Sequence, residues 1–404
     1  MRYFEPDWTL FDITERYPET KDVFVRHGFV QVNDEAKRTT FGKALQLDIA
    51  LLMRQMDVEA FSGLLIQAIE SAKESVQSGT NGVRPFNIKG LLPCPVRIPL
   101  QEQFDAFLQN LKSDGNEVMA SLQSASMGLD WMKDEILEAQ KVSQLDDLYI
   151  SAGFDIFFED EYFGRFVKQK QMGNPFRWKK INDSFDYPDL QLVDPDHQYG
   201  IIALVPAVFL VNTTILGERP IPKSWADLLH PMYERSVSLP VSDFDLFNAI
   251  LLTLYRTYGP ESVAALGRNM LLSMHPAQMV KSERQKENRP AITIMPNFFT
   301  KMVKEGSAMT AVWPEDGAII SPIFMIGKTD AHPLQEQIGR FLGSKAVAEI
   351  LAHQGLFPTL HPEVDNHLPK GSRFMWLGWD FIKSHNLNQK FDECHKLFEQ
   401  SIIS

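Results

Sequence analysis

Apolar positions recur along this chain with two different periods, and the change of period divides it. Up to about residue 80 they have helical spacing. Leu10, Ile13, Tyr17, Val23 and Phe24 punctuate TLFDITERYPETKDVFVRHGF, and LDIALLMRQM and EAFSGLLIQAIESAKESV follow. Thr9 precedes the first helix, Pro18 opens the next, and Gly28 reads as a helix stop. Residues 77–85, QSGTNGVRP, read as a linker. From Phe86 short apolar runs (NIKGLLPCPV, EVMASLQS, DLYISAGFDIFF) alternate with amphipathic stretches (LQEQFDAFLQNLKS, LDWMKDEILEAQKV). That alternation predicts βαβ units and a mainly parallel sheet, with strand ends gathered on one rim.

A second block repeats the alternation. YGIIALVPAVFLVN is a buried strand in which Pro206 predicts a bend or an edge. PKSWADLL is a short helix capped by Ser224, RSVSLPV a strand, and DLFNAILLTLYRTYG a helix ended by Gly259. AITIMPNFFTKMVKEG is a strand turning into a helix. TAVWPEDGAIISPIFMIGK is a pair of apolar runs joined by the acidic turn Pro314–Gly317, and the C-terminal part is largely helical. Two α/β blocks joined by crossing strands predict a two-lobed body with a cleft, a preferred place for small ligands.

Composition narrows the partners. With 404 residues, 44% hydrophobic and 23% charged, the chain can bury sizeable cores. A net charge of -12 argues against nucleic acid or an anionic membrane as partner. Two cysteines, Cys94 and Cys394, are too few for a disulfide framework or a thiolate metal site. The N-terminus has no basic start followed by an apolar stretch, and Gly200–Val211 is too short to span a bilayer. The expectation is a cytoplasmic protein with no membrane insertion. No GxGxxG, P-loop, GxSxG or HExxH pattern is present, so an enzyme is not expected, nor a cofactor.

From GIIALVPAVFLVNTTILGERPIPKSWADLLHPMYERSVSLP, and from the later MPNFFTKMV, VWPEDGAIISPIFMIGK and QGLFPTLHPEVDN, residues 86–404 resemble the type II solute-binding proteins of ABC transporters, nearest the iron/polyamine/thiamine-related branch. TLFDITERYPETKDVFVRHGF resembles DUF1858, a small helical domain seen beside hybrid-cluster and iron–sulfur repair proteins. That domain usually continues with paired cysteines, whereas here Val30–Asp34 follows, so a docking or structural role is expected instead of a redox one. The resemblance implies a two-lobed periplasmic-binding-protein clamshell behind a small all-α N-terminal domain (1–80). The first lobe would comprise about 86–205 plus 314–404, and the second about 206–313.

In such proteins ligand sits at strand ends and helix N-termini facing the cleft. That implies Cys94 after the first strand, Gly153 and Asp155 after the third, Ser242 and Asp243 before DLFNAILLTLY, Asn297 before FFTKMV, and Trp313, Glu315 and Asp316 on the return crossing. Each has a plainer reading. Ser242, Asp243 and Asn297 suit helix caps, Asp155 and Asp316 suit turns, and Trp313 suits packing. The acids tilt the ligand toward a cation or a metal-related solute. Iron-binding relatives typically use a tyrosine pair, and no adjacent tyrosines occur here, which disfavours direct ferric binding. The expected function is binding of a small polar solute, closing about Leu204–Phe209 and Ala311–Trp313, with an ABC permease or a cytosolic metal-handling protein as partner. The alternative is a cytosolic regulatory or scaffold module for metal or iron–sulfur handling, in which the helical domain docks.

Overall fold

The computed structural model describes residues 3–403 apart from 27–28, 34, 54–55, 57, 59–60, 67, 70–83, 125–128, 242–243, 274–288, 305 and 330–331. The chain forms two compact units, Met1–Pro85 and Phe86–Ser404. The expected helix stop at Gly28 and most of the expected linker lie outside the described residues.

In the first unit, helices α1 (Leu10–Arg16), α2 (Thr20–Arg26) and α3 (Leu47–Met53) close round Leu10, Ile13, Phe24, Leu47 and Leu51, all fully buried. Thr9 caps α1 by accepting from the Asp12 N–H at 3.1 Å. Phe24, Phe29 and Phe61 form a triangle of ring contacts between 5.5 and 6.1 Å.

The second unit is built on one 11-stranded sheet in the order β2-β1-β3-β10-β5-β8-β6-β7. The strands are β1 (Phe86–Leu92), β2 (Val118–Ser124), β3 (Leu148–Ala152), β4 (Met172–Gly173), β5 (Gly200–Asn212), β6 (Val237–Leu239), β7 (Met270–Ser273), β8 (Ile292–Pro296), β9 (Met309–Val312), β10 (Ala318–Lys328) and β11 (Phe374–Met375). Helices that matter below are α4 (Trp225–Leu228), α5 (Phe244–Tyr258), α6 (Pro260–Asn269), α7 (Gln335–Leu342) and α8 (Leu387–Ile403).

The expected mainly parallel sheet is only half right. β1 pairs in parallel with β2 and β3, and β6 in parallel with β7 and β8. The two groups are joined by β10 and β5, which run antiparallel to each other and to β3 and β8. The reason is length. β5 and β10 extend across both groups in opposite directions, so the sheet reverses sense at its centre.

Pro206 therefore stands in a central strand, opposite Ile320, and Pro322 stands opposite Leu204. Neither supplies an N–H to the ladder. On its other side β5 changes partner here. Ala203 bridges Thr359 and Leu204 N–H donates to Pro358, whereas β8 begins only at Ala207. The prolines thus stand where β5 passes from one outer partner to the next. The β1 group packs on a core with Leu100, Phe104, Ile338 and Leu351. The C-terminal helix α8 packs on α5 and α6: Phe247 meets Phe398 at 5.1 Å, and a Cβ on Gly267 would strike Ser401.

Candidate functional site

Where the two halves of the sheet meet, the strand ends of one face the helix starts of the other. β3 ends at Gly153, whose φ is +138°. A Cβ there would lie 2.8 Å from Oδ1 of Asp245, in the first turn of α5. Only glycine permits both that backbone and that approach. α5 follows β6, so Asp245 reaches the end of β3 from the other half of the sheet.

Other groups converge nearby. Phe154 touches Trp376 at 5.8 Å, and the Trp376 indole N–H is buried without an acceptor among the described residues. So is the hydroxyl of Ser321, opposite Val205 on the crossing strands. Unspent buried donors cost stability unless something else takes them.

Across the crossing, the 3-10 turn Asn297–Met302 after β8 meets the π-helical turn Ile350–Gln354. Phe298 packs on Phe357 at 5.1 Å, and Lys301 Nζ donates to the carbonyls of His353 (3.1 Å) and Gln354 (3.0 Å). Carbonyls at a helix end lack internal partners, and a lysine there also meets the negative end of the dipole.

The expected site residues divide into three groups. Gly153 and Asn297 lie on this rim. Asn297 is half-buried, its carbonyl accepts from Thr300 Oγ1, and its side chain caps nothing. Cys94 and Asp155 open the turns after β1 and β3, but their side chains lie outside the described residues, as do Ser242 and Asp243 entirely.

Trp313, Glu315 and Asp316 are placed elsewhere, which corrects the expectation that this turn looks into the cleft. Asp316 Oδ2 accepts from the N–H groups of Trp225 (2.8 Å) and Ala226 (3.3 Å) and from the Tyr258 hydroxyl (2.7 Å). Tyr258 ends α5 and Asp245 begins it, so at about 1.5 Å per residue the two sites are roughly 20 Å apart. Asp316 Oδ1 is buried and unpartnered among the described residues. Burial raises the Asp316 pKa above the usual carboxylate value, outweighing the three donors. The Tyr258 hydroxyl is likewise raised, by burial first and by the Asp316 carboxylate second.

Glu315 is exposed, and its N–H bonds the Lys223 carbonyl at 2.7 Å. Trp313 donates to the Arg373 carbonyl at 2.9 Å and packs edge-on against Phe374. The turn docks α4 and β11. Sequence reading missed Asp245 and Lys301. Asp245 had a usable signal, an acid in the first turn of a strongly amphipathic helix, whereas nothing local marks Lys301.

Among the described residues no three His, Cys, Asp or Glu side chains converge to hold a metal ion, and no helix is long and apolar enough to cross a membrane. The model for the bacterial extracellular solute-binding protein family matches residues 143–385. The chain belongs to that family. A second model, a domain of unknown function (DUF1858), matches residues 4–61 of this solute-binding protein. No curated protein sequence matches it.

Solved structures share its fold at low identity. The apo ferric ion-binding protein A of Pasteurella haemolytica has a TM-score of 0.54 at 16% identity, over 79% of this chain and 98% of that one. Trichodesmium IdiA (FutA), in complex with iron and citrate, has 0.52 at 12%, over 79% and 99%. An ABC transporter protein from Clostridium perfringens has 0.51 at 16%, over 78% and 99%. The two-lobed type II periplasmic-binding-protein fold is thus that of this chain's second unit.

Proposed function

We propose that the second unit binds a small polar solute bearing positive charge between the two halves of its sheet, and that hinge closure about Pro206 and Pro322 encloses it. The observation that carries this reading is the carboxylate of Asp245 set against Gly153, at a strand end of one half and a helix start of the other. A cationic group placed there gains from Asp245, while the unspent donors of Ser321 and Trp376 suit acceptor oxygens elsewhere on the solute or on a chelator. A bare ferric ion is disfavoured, because among the described residues no three His, Cys, Asp or Glu side chains converge to hold it. A chelate brings its own ligands, and iron with citrate is what the Trichodesmium relative holds. This is a binding role and not catalysis, with an ABC permease as the partner that family membership favours.

A thermal-shift series over spermidine, thiamine, amino acids, divalent metals, oxyanions and ferric citrate tests it. The expected result is a rise in Tm with a cation or a chelate that is lost in Asp245→Asn. A rise that survives Asp245→Asn overturns the assignment of the site.

A second reading is a cytosolic regulatory or scaffold module for metal or iron–sulfur handling, in which the helical domain matched over residues 4–61 docks the partner. No shift with any solute, together with a stoichiometric partner held by the first unit, would select that reading.

A further inference from the structure

At the opposite end of the sheet from Gly153 lies a concavity of about 970 Å³. Lys328 in its wall pairs with Met172, and the preceding Gly327 pairs with Gly173 and Leu148, so it opens at the start of β3. Along the strand that is roughly 16 Å from the solute site, at about 3.3 Å per residue. Its described lining holds five cations, Arg177, Lys179, Lys180, Lys328 and Arg340, against one carboxylate, Glu336. In a chain of net charge -12 that is a local reversal of sign.

Some of this charge is already spent. Arg340 bonds Glu336, Lys180 pairs with Asp183 at 2.8 Å, and buried Lys328 lies 3.4 Å from Asp147. Arg177 and Lys179 are exposed and have no carboxylate partner among the described residues.

The loop carrying these cations is held in place. Asn174 Oδ1 accepts from the Phe176 N–H at 3.0 Å, and a Cβ on Gly200 would fall 2.5 Å from that oxygen. Trp178 Nε1 donates to the Ile201 carbonyl at 2.9 Å. Phe176 lies over α7, where a Cβ on Gly339 would come within 3.0 Å of it, and one on Gly343, just past the helix end, within 2.6 Å. Three glycines thus make room for one loop, and the loop backbone that carries the basic residues is held in place at the concavity.

One further group lines the wall. His361 accepts the Glu363 N–H at Nδ1, so its neutral ring carries hydrogen at Nε2, a donor beside the cations. The cations suit phosphate oxygens. The volume matches a metabolite larger than an inorganic ion. We propose that this concavity binds a phosphorylated small molecule of the sugar-phosphate or nucleotide class, at a site separate from the solute cleft.

Calorimetric titration of the full chain with glucose 6-phosphate, ATP and inorganic phosphate tests this. Saturable binding of glucose 6-phosphate or ATP is expected, tighter than that of inorganic phosphate. The double substitution Arg177→Glu with Lys179→Glu weakens it by about tenfold or more. Circular dichroism checks that each variant folds, and Arg177→Gln with Lys179→Gln stands in if charge reversal does not. Several results overturn the proposal: no saturable binding to the unaltered protein, equal affinity for inorganic phosphate, undiminished binding in the charge variants, or capture by phosphoinositide vesicles with no affinity for the soluble probes.

Discussion

The two ends of α5 each carry an aspartate contact, and the two contacts join different parts of the molecule. At the Tyr258 end, Asp316 takes three donors and ties together a short helix, a tyrosine and a return turn, all within the same half of the sheet. At the Asp245 end, a carboxylate meets a glycine of the other half, beside the central strands that carry Pro206 and Pro322. Hydrogen bonds within one body fix its geometry. A contact between the two halves is where a hinge motion would act. Two acidic features that look alike in sequence thus separate by what they touch.

Breaking the rigid end has the largest expected effect. Trp225 is fully buried, donates to the Gly317 carbonyl at 3.0 Å and meets Phe209 edge-on at 4.9 Å. Trp225→Ala is expected to cost about 3–5 kcal/mol in denaturant unfolding.

Asp316 gives a finer cut. Asp316→Ala strands three donors and is expected to cost about 2 kcal/mol, whereas Asp316→Asn keeps an acceptor and costs little. The sign of the pH effect follows from its raised pKa. Below the unfolded value of about 3.9 both states are protonated. As pH rises through the window up to the raised folded value, the unfolded state ionises first, so this group's contribution to stability falls. Unfolding curves across that window should show the fall in the unaltered protein and not in Asp316→Asn. Neither substitution should alter a solute-induced shift in Tm, and a change there would return the turn to the cleft.

Sequence patterning located the longer strands, because short apolar runs bounded by Pro and Gly are local signals, but it missed β4, β7 and β11, which are only two to four residues long. The capping of PKSWADLL by Ser224 was equally legible, since an N-cap acts within three residues. Partnerships were not. Pro206 read as an edge because a proline rarely sits mid-sheet, and only the change of partner from Thr359 to β8 explains its place. Asp316 read as a cleft acid because its three donors come from positions some 60–90 residues away. Gly153 was found from its place at a strand end, but Asp245, its partner, was passed over for two neighbours that cap helices well.

The flexible end responds to smaller changes. Gly153→Ala places a methyl 2.8 Å from Asp245 Oδ1 on a backbone that side chains rarely adopt, and about 1–3 kcal/mol of strain is expected. Its diagnostic consequence is on binding. The solute-induced shift in Tm should vanish in Gly153→Ala and in Asp245→Asn alike, although only the former lowers the unliganded Tm. If Gly153→Ala keeps the full shift, the seam between Asp245 and Gly153 is packing and not a site.

Lys301 tests whether the halves are held together without ligand. Its Nζ satisfies two carbonyls at the end of Ile350–Gln354 from the far side of the crossing, while the lysine itself is exposed. Exposed bonds of this kind contribute less than about 1 kcal/mol, so Lys301→Ala should barely move the unfolding midpoint. A hinge responds differently from a fold. If open and closed arrangements lie within a few kcal/mol, losing two bonds made only when closed shifts their populations severalfold. Small-angle scattering should then report a larger radius of gyration for unliganded Lys301→Ala than for the unaltered protein, with the two converging once solute is bound. Equal radii in the absence of solute would mean that the prolines do not soften the crossing, and that the two halves form one rigid body.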